Sequence, residues 1–576
     1  MAETAQNTPT FKGGLVLAGA VSGGAYMAGV LDYILQTLEA WETVKKSDVP
    51  DIPNHRFEIR AISGASAGSI CAAVLARALA SNVVPVTDVN NPPDNPVENP
   101  KKEKTPFLNP FFATWVQSID IRHLLKDDDL KNKKAELMSI LDSTALPYIG
   151  SNVLNIGDQV KNERPAYVAE KLDLFINSTN LRGVPYGLGF EGQVENYRHM
   201  MDVHAEYKHF QLSWGERPNP GPKPTWLDPH RVSADGHWLD FVSSSIASGA
   251  FPVGLSPRSL SRNVKDYDVS PRYDNYGTPF WPSDIKAMGD SYSYQYMNVD
   301  GGVMNNEPLE LARQTLSGGK KIKNPRDGEG EDPAKAAVIM VDPFPNTSDV
   351  NIKYEPEKNV FEVILRLVSI VTSQMRFKPE ELKLSLDDEV YSRFVIAPVY
   401  AINQKKIQPL AIYGELLGSF GAFLSESFRR HDFQLGRRNA QRFLKNYFVL
   451  PETNPLFDGW TNDMKLKYSV AHRNGPHLPI IPVIQEMGKD VFDEIGVPDR
   501  PRGAEIDMDD LKKQLRFRVK AVVPKLIAAI PNGIMRTIAK LVWKLDWLIG
   551  ISKIIANGLI KKIETEINKL NDAVLK

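Results

Sequence analysis

Apolar and polar positions along the 576-residue chain follow two different periods, and the changes of period mark its elements. Gly13 to Leu31, GGLVLAGAVSGGAYMAGVL, carries no charge over nineteen residues. A membrane-spanning helix needs about 20 apolar residues, so length alone does not exclude one. The pattern does. An apolar run (Gly14 to Leu17) is followed by a small-residue cluster (Ala18 to Gly24). Leu31, Ile34, Leu35 and Leu38 then recur at helical spacing, with Asp32, Gln36 and Glu39 between them. Strand, glycine-rich turn and amphipathic helix are the form of a loop whose free N–H groups hold an anion. Nor does the leader suit export, because Met1 to Thr10 has Glu3 and no Lys or Arg.

Residues 57–80, FEIRAISGASAGSICAAVLARALA, predict a strand, a sharp turn over Ser63 to Ala67, and an apolar helix. The Asn, Pro and Lys of 83–110 predict a long loop, and 111–147 a charged helical stretch. Lys171 to Asn177 predicts a strand ended by the turn-rich STNLRG. Residues 238–250 predict a helix ending near Gly249, with Phe251-Pro252 as its stop. A Pro/Tyr-rich insertion over 257–298 leads into Tyr296 to Asn306, a strand entering a tight turn. A helix begins near Pro308, 318–335 is a polar loop, and Ala336 to Val341 a short buried strand. This alternation predicts an α/β sheet over 13–345, behind a tail of residues 1–12. The chain beyond predicts a mainly helical extension over 346–505, with helices at 357–377 and 410–447. A basic amphipathic helical region over 506–576 follows, its helices spanning 508–570. No internal repeat is visible.

A hydrophobic content of 42% and a net charge of −1 describe an ordinary globular protein, with no global surface for nucleic acid. The single cysteine, Cys71, follows an apolar stretch and reads as a small core residue. The ten histidines form only loose pairs, His199/His204 and His472/His477, so no metal site is expected. A cytoplasmic protein, peripheral to a membrane at most, is the expectation.

Gly64-Ala65-Ser66-Ala67-Gly68 fits the nucleophile elbow G-x-S-x-G, in which a tight strand-to-helix turn lifts a serine hydroxyl clear of the sheet. The plainer alternative is a serine capping a helix. A nucleophilic serine needs a base. In the chain order Ser, acid, His, the late His431, His472 and His477 are candidates, though His431 lies in a charged helix and reads as solvated. Asp300, in Asn298-Val299-Asp300-Gly301-Gly302, is the other candidate, because burial can make an aspartate basic enough to take the proton directly. Asp-Gly as an ordinary turn is the alternative there.

A glycine-rich strand–helix loop, G-x-S-x-G and D-G-G, in that order, resemble the patatin-like phospholipase family over about 14–345, including Ala247 to Pro252 (ASGAFP). The resemblance implies a three-layer α/β/α catalytic domain over 13–345 and a lipid acyl hydrolase using a Ser–Asp dyad, without cofactor or metal. Ser66 is then the nucleophile, Asp300 the base, and a lipid ester the substrate. Gly64 and Gly68 shape the elbow, and Gly301 and Gly302 the turn after the base. Gly19, Ala20, Val21, Ser22, Gly23 and Gly24 form the oxyanion loop. One departure stands out: Ala20 and Val21 replace glycines of the family loop, and Gly23 replaces its basic residue. Ala and Val do not readily adopt positive φ, so the resemblance leaves open which N–H groups face the oxyanion. Two other readings are a Ser–His–Asp esterase and an inactive lipid-binding scaffold of the same fold.

Two flanking segments bear on lipid. Tyr267, Tyr273, Tyr276, Trp281, Tyr292, Tyr294 and Tyr296 suit either a lipid-facing mouth or simple packing. Leu511 to Ile563 holds twelve basic residues against one acid, Asp546, with apolar residues at helical spacing. Such helices either lie on a membrane or pack their apolar face on the core.

Overall fold

The computed structural model describes residues 8–574, except 48, 94–107, 133, 135, 155–159, 189–198, 216–223, 233–235, 270–278, 290–291, 319–333, 346–392, 403–404, 407–410, 473–474, 485–493, 502–505, 530–532 and 545–550. The predicted helix at 357–377, Tyr273, Tyr276, half of the 83–110 loop and most of the 318–335 loop lie outside the described residues.

Strand β1 (Thr10–Leu17) leads through a short turn into helix α1 (Gly24–Lys45). Strand β2 (Arg56–Gly64) and helix α2 (Ala67–Leu79) repeat the unit. Helix α3 (Leu146–Leu154), strands β3 (Val168–Leu188), β4 (His199–Leu212) and β5 (Thr225–Leu227), and helix α4 (His237–Ser248) follow. Next come β6 (Arg258–Asn263), β7 (Ser293–Val299), helix α5 (Leu309–Leu316), β8 (Ala336–Val341) and β9 (Arg393–Ile396). Among the described residues, nine strands form one sheet in the order β5-β4-β3-β2-β1-β8-β9, with β7 paired to β3 and β6 to β7. Its centre, β3-β2-β1-β8-β9, is parallel. Alternate side chains of β1 serve opposite faces: Leu15 and Leu17 pack with α1 and α2, and Val16 with Ala312 and Leu316 of α5. Helices thus cover both faces of a mostly parallel sheet, the expected α/β architecture.

The region beyond 345 joins this body. β9 extends the sheet, and helix α6 (Glu426–Asn446) lies against α1 at backbone contact. A Cβ on Gly29 would stand 1.9 Å from the Phe433 carbonyl, and one on Gly436 2.1 Å from that of Tyr26. Helices α7 (Met508–Ala528), α8 (Gly533–Lys544) and α9 (Ile551–Val574) end the chain. Leu511, Ile560, Ile563 and Ile567 pack with Leu125, Tyr413, Leu416 and Phe428, so one face of this basic region is committed to the core. No helix among the described residues is long and apolar enough to cross a membrane.

Several local expectations are corrected. Over 111–147 the chain forms short helical pieces and turns instead of a charged helix. Acidic side chains there bind nearby backbone: Asp120 accepts from the Arg122 N–H, and Asp142 from those of Asp128 and Thr144. The STNLRG signal makes a bulge inside β3 and does not end it, with Asn180 accepting from the N–H groups of Arg182 and Gly183. Residues 258–299 are not simply a loop but contain the antiparallel β6–β7 hairpin. Tyr267, Trp281, Tyr294 and Tyr296 are buried in its own apolar cluster, so they pack and do not face a mouth. Within 410–447 the long helix starts only at Glu426; before it, Leu417, Gly418 and Ser419 hold φ of 53°, 63° and 79°.

Candidate active site

β1 and β2 run parallel and end level, Leu17 beside Gly64, so the two turns that follow emerge together at the carboxyl edge of the sheet. At the second turn, Ser66 sits at φ 53°, ψ −128°, a conformation that costs a non-glycine residue about 1–3 kcal/mol. Glycine is required on either side. A Cβ on Gly64 would stand 2.7 Å from the Gly68 carbonyl oxygen, and one on Gly68 2.0 Å from that of Leu17. Ser66 occupies the N-cap position of α2, yet its side chain caps nothing there. Its hydroxyl instead donates to Asp300 Oδ2 at 2.6 Å.

Asp300 ends β7 and is fixed on every side. Its N–H donates to the Ala250 carbonyl (2.9 Å), its carbonyl accepts from Thr179 Oγ1 (2.8 Å), and Oδ1 accepts from the Gly302 N–H (2.7 Å). Gly301 lets the turn press on β3, since a Cβ there would lie 2.4 Å from the Asn177 carbonyl oxygen. Burial raises the Asp300 carboxyl to about 6, and the hydrogen bonds from Ser66 and Gly302 pull in the opposite direction.

The first turn lies against this pair. A Cβ on Gly19 would stand 2.1 Å from Asn306 Oδ1 and 3.0 Å from Ser66 Cβ, so only glycine lets the loop approach the serine. The Gly19 N–H donates to the Asn306 carbonyl and is therefore spent. Val21 holds φ 41°, so the loop takes its left-handed residue at a β-branched position. Among the described residues, the N–H groups of Ala20, Val21 and Ser22 have no hydrogen-bond acceptor. The Ser22 hydroxyl donates to the Ser419 carbonyl (2.7 Å) and accepts from the Ala422 N–H (3.3 Å). Gly414, whose N–H donates to Asp432, packs on Gly23.

A family model, patatin-like phospholipase, matches residues 15–313, which contain the elbow, the Asp300 turn and the glycine loop. The chain belongs to the patatin-like phospholipase family. Family membership makes it a lipid acyl hydrolase at the level of class. An uncharacterized protein of Sinorhizobium fredii (strain NBRC 101917 / NGR234), y4iI, is 32% identical over 562 residues, covering 90% of this chain and 76% of that one. The crystal structure of VipD from Legionella pneumophila aligns over 75% of this chain and 67% of its own, at 12% identity. Its TM-score of 0.22 is too low to transfer anything between the two molecules.

In this patatin-like site no histidine of the ten hydrogen-bonds to Ser66 or Asp300. His431, expected to be solvated, is buried; its Nδ1 pairs with Asp432 at 3.0 Å, and its ring packs on Tyr400 and Tyr413. His472 and His477 face each other across a small separate sheet, ring centroids 4.3 Å apart. Cys71 is buried, as its apolar setting implies. Among the described residues, no cluster of three His, Cys, Asp or Glu side chains could hold a metal ion.

Three contributors were not singled out by sequence. Ser248 Oγ accepts from the Ser66 N–H (2.9 Å) and bonds Ser69 Oγ (2.8 Å), pinning the elbow to the end of α4. It lies within the ASGAFP stretch, which was the available signal. Asn306, six residues past Asp300, packs against Gly302 and bonds Gly19 of the glycine loop through its own carbonyl and Nδ2. The Ser419–Ala422 clamp on Ser22 had no local signal at all.

Proposed function

We propose that the protein hydrolyses lipid carboxylic esters through a Ser66–Asp300 dyad and an acyl-enzyme. One observation carries the reading: the Ser66 hydroxyl donates at 2.6 Å to a buried carboxylate whose pKa is raised to about 6. Near neutral pH Asp300 is ionised but unusually basic, which is what direct proton abstraction from serine needs. Ser66 Oγ attacks the ester carbonyl as its proton passes to Asp300 Oδ2. The tetrahedral oxyanion faces the glycine loop, where the unspent N–H groups of Ala20, Val21 and Ser22 are the candidate donors. Collapse expels the alcohol, which takes the proton from Asp300. Water then gives a proton to Asp300 and attacks the acyl carbon; fatty acid leaves and the proton returns to Ser66. Every step closes without cofactor or metal.

The exposed Lys513, Arg516, Lys520, Lys540, Lys553, Lys561 and Lys562 support a peripheral membrane encounter, where such substrates reside. The test is a fluorophosphonate probe beside a panel of phospholipid, lysophospholipid and glyceride esters. The parent labels at Ser66 and hydrolyses at least one class. A protein that neither labels nor turns over any ester is a scaffold, and labelling at another serine removes the dyad.

A further inference from the structure

Tyr267, Trp281, Tyr294 and Tyr296 of the insertion are buried, yet the neighbourhood of Asp300 does present apolar side chains to solvent. Met138 is 47% exposed, Ile140 44%, Phe251 38% and Val253 68%. These residues come from two segments joined side by side. Ile140 N–H donates to the Val253 carbonyl (2.8 Å), Leu141 N–H to that of Gly254 (3.0 Å), and Ser139 Oγ bonds Ser256 Oγ (2.8 Å). The segment starts at Ala250, whose carbonyl holds the Asp300 N–H, so Phe251, the nearest member of the patch, follows directly on a partner of that turn. Val253 holds φ 68°, where a β-branched residue is strained. A side chain that is both strained and two-thirds exposed contributes little to the fold, and such a position favours glycine or asparagine.

The same segment is fastened to the basic C-terminal region. Arg518 of α7 is only 2% exposed. Its guanidinium donates to the carbonyls of Ile140 (2.6 Å), Lys126 (2.7 Å) and Ser139 (3.3 Å), and to both carboxylate oxygens of Asp129 (2.5 and 2.8 Å). Asp129 is thereby neutralised, and Asp128 pairs with Lys131. On α7 itself, Lys513, Arg516 and Lys520 are exposed, and Phe517 between them is 52% exposed. Apolar side chains flanked by lysine, arginine and an aromatic residue complement an anionic bilayer, whose headgroups attract cations and whose interior takes the apolar groups.

We infer that Met138, Ile140, Phe251 and Val253, with the exposed cations of α7 fixed to them by Arg518, form the face that seats on an anionic phospholipid surface. The inference rests on the ester-hydrolase reading only for its purpose, which is to bring lipid to the Ser66 turn; the seating itself is measurable without catalysis.

The measurement is co-sedimentation with phosphatidylcholine vesicles containing phosphatidylglycerol, using the full chain carrying Ser66→Ala so that turnover cannot remodel the lipid. Combined Met138→Ser, Ile140→Ser and Val253→Asn is expected to weaken partition by about tenfold or more, given the apolar area removed. Asparagine tolerates the left-handed backbone at 253, so the melting temperature should hold. Lys513→Glu with Arg516→Glu and Lys520→Glu should weaken partition at low salt and much less at high salt. Leu466→Asn, at a residue 80% exposed on another surface, should change nothing. Parent-like partition of the triple apolar variant overturns the inference, and so does an equal loss with Leu466→Asn. Failure of the dyad reads out separately, as ester hydrolysis that survives Ser66→Ala.

Discussion

Two turns stand side by side at the carboxyl edge of the sheet, and each holds a non-glycine residue at positive φ: Val21 at 41° after β1, Ser66 at 53° after β2. Each such residue costs about 1–3 kcal/mol, so something must hold it. The elbow's steric requirement lies within its own five residues, although Ser248 Oγ also pins the Ser66 N–H from 182 residues onward. Gly64 and Gly68 let strand and helix close around Ser66, and the Ala65 N–H donates to the carbonyl of neighbouring Leu17. The glycine loop is held from outside. Its Ser22 hydroxyl is bound by Ser419 and Ala422, about 400 residues onward, and that segment is fixed by Asp432, which accepts from Tyr413 and Gly414. Strain held locally can be written as a five-residue pattern. Strain held by a distant segment cannot.

The comparison breaks first at its serine. Ser66→Ala should abolish fluorophosphonate labelling and cut ester hydrolysis by about 10³-fold or more, with an unchanged melting temperature, because covalent catalysis has lost its nucleophile. Residual hydrolysis close to the parent would place the chemistry elsewhere.

Asp300→Asn comes next, with an expected loss on the order of 10² to 10⁴-fold, since the amide keeps the shape but accepts no proton. The pH profile sharpens the point. With its pKa raised to about 6, Asp300 is neutral below that value, so kcat/KM should fall as pH drops through it. For stability the sign is opposite. The folded chain keeps a proton that the unfolded chain releases from about 3.8, so this contribution is full below that pH and is lost as pH rises through about 6. Melts of parent and Asp300→Asn across this window should converge at the acid end and separate above it, the parent melting earlier. A pH–rate profile with no limb near 6 would count against Asp300 as the base.

Ser22→Ala tests the loop and should be milder. It removes a restraint on Val21 without removing any backbone N–H, so kcat should fall roughly 10- to 100-fold through misplaced donors, with KM little changed. Probe labelling would slow in parallel. If KM rises and kcat holds, the loop shapes substrate binding and does not position the oxyanion.

How much could be read from sequence follows the same division. Strand, elbow and Asp-Gly-Gly turn were legible because each is a short pattern with a steric cause, such as the 2.0 Å approach a Cβ on Gly68 would make to the Leu17 carbonyl. The parallel sheet and α/β class came from alternating periods. What was missed depends on tertiary partners. Asn180 turns a predicted strand end into a bulge by binding Arg182 and Gly183 within a strand already paired on both sides. For the insertion, residue type left a lipid-facing mouth and simple packing both open; the β6–β7 hairpin decides for packing at Tyr267, Tyr294 and Tyr296. Meanwhile the exposed apolar residues near Asp300, Ile140 and Val253, are brought together by a backbone hydrogen bond between segments far apart in sequence, which no local pattern announces. Position 21 shows the limit most sharply, since valine argues against positive φ and only the clamp on its neighbour explains why it is there.

The smallest effect is expected at the histidines, and it tests whether the comparison has the right members. A triad would require one of the late histidines to reach Ser66, yet that hydroxyl is already committed to Asp300 at 2.6 Å. His472 and His477 sit on a sheet of their own, so His472→Ala and His477→Ala should leave kcat/KM within about twofold. His431→Ala differs in kind. Its ring is buried against Tyr400 and Tyr413, and its loss opens a cavity, so stability should drop by roughly 1–3 kcal/mol. Because Asp432, its partner, also fixes Tyr413 and Gly414, a small fall in kcat is expected through the Ser22 clamp, smaller than that of Ser22→Ala itself. A loss at His431 comparable to that of Asp300→Asn, in a variant that still melts cooperatively, would make the histidine part of the chemistry and displace the dyad.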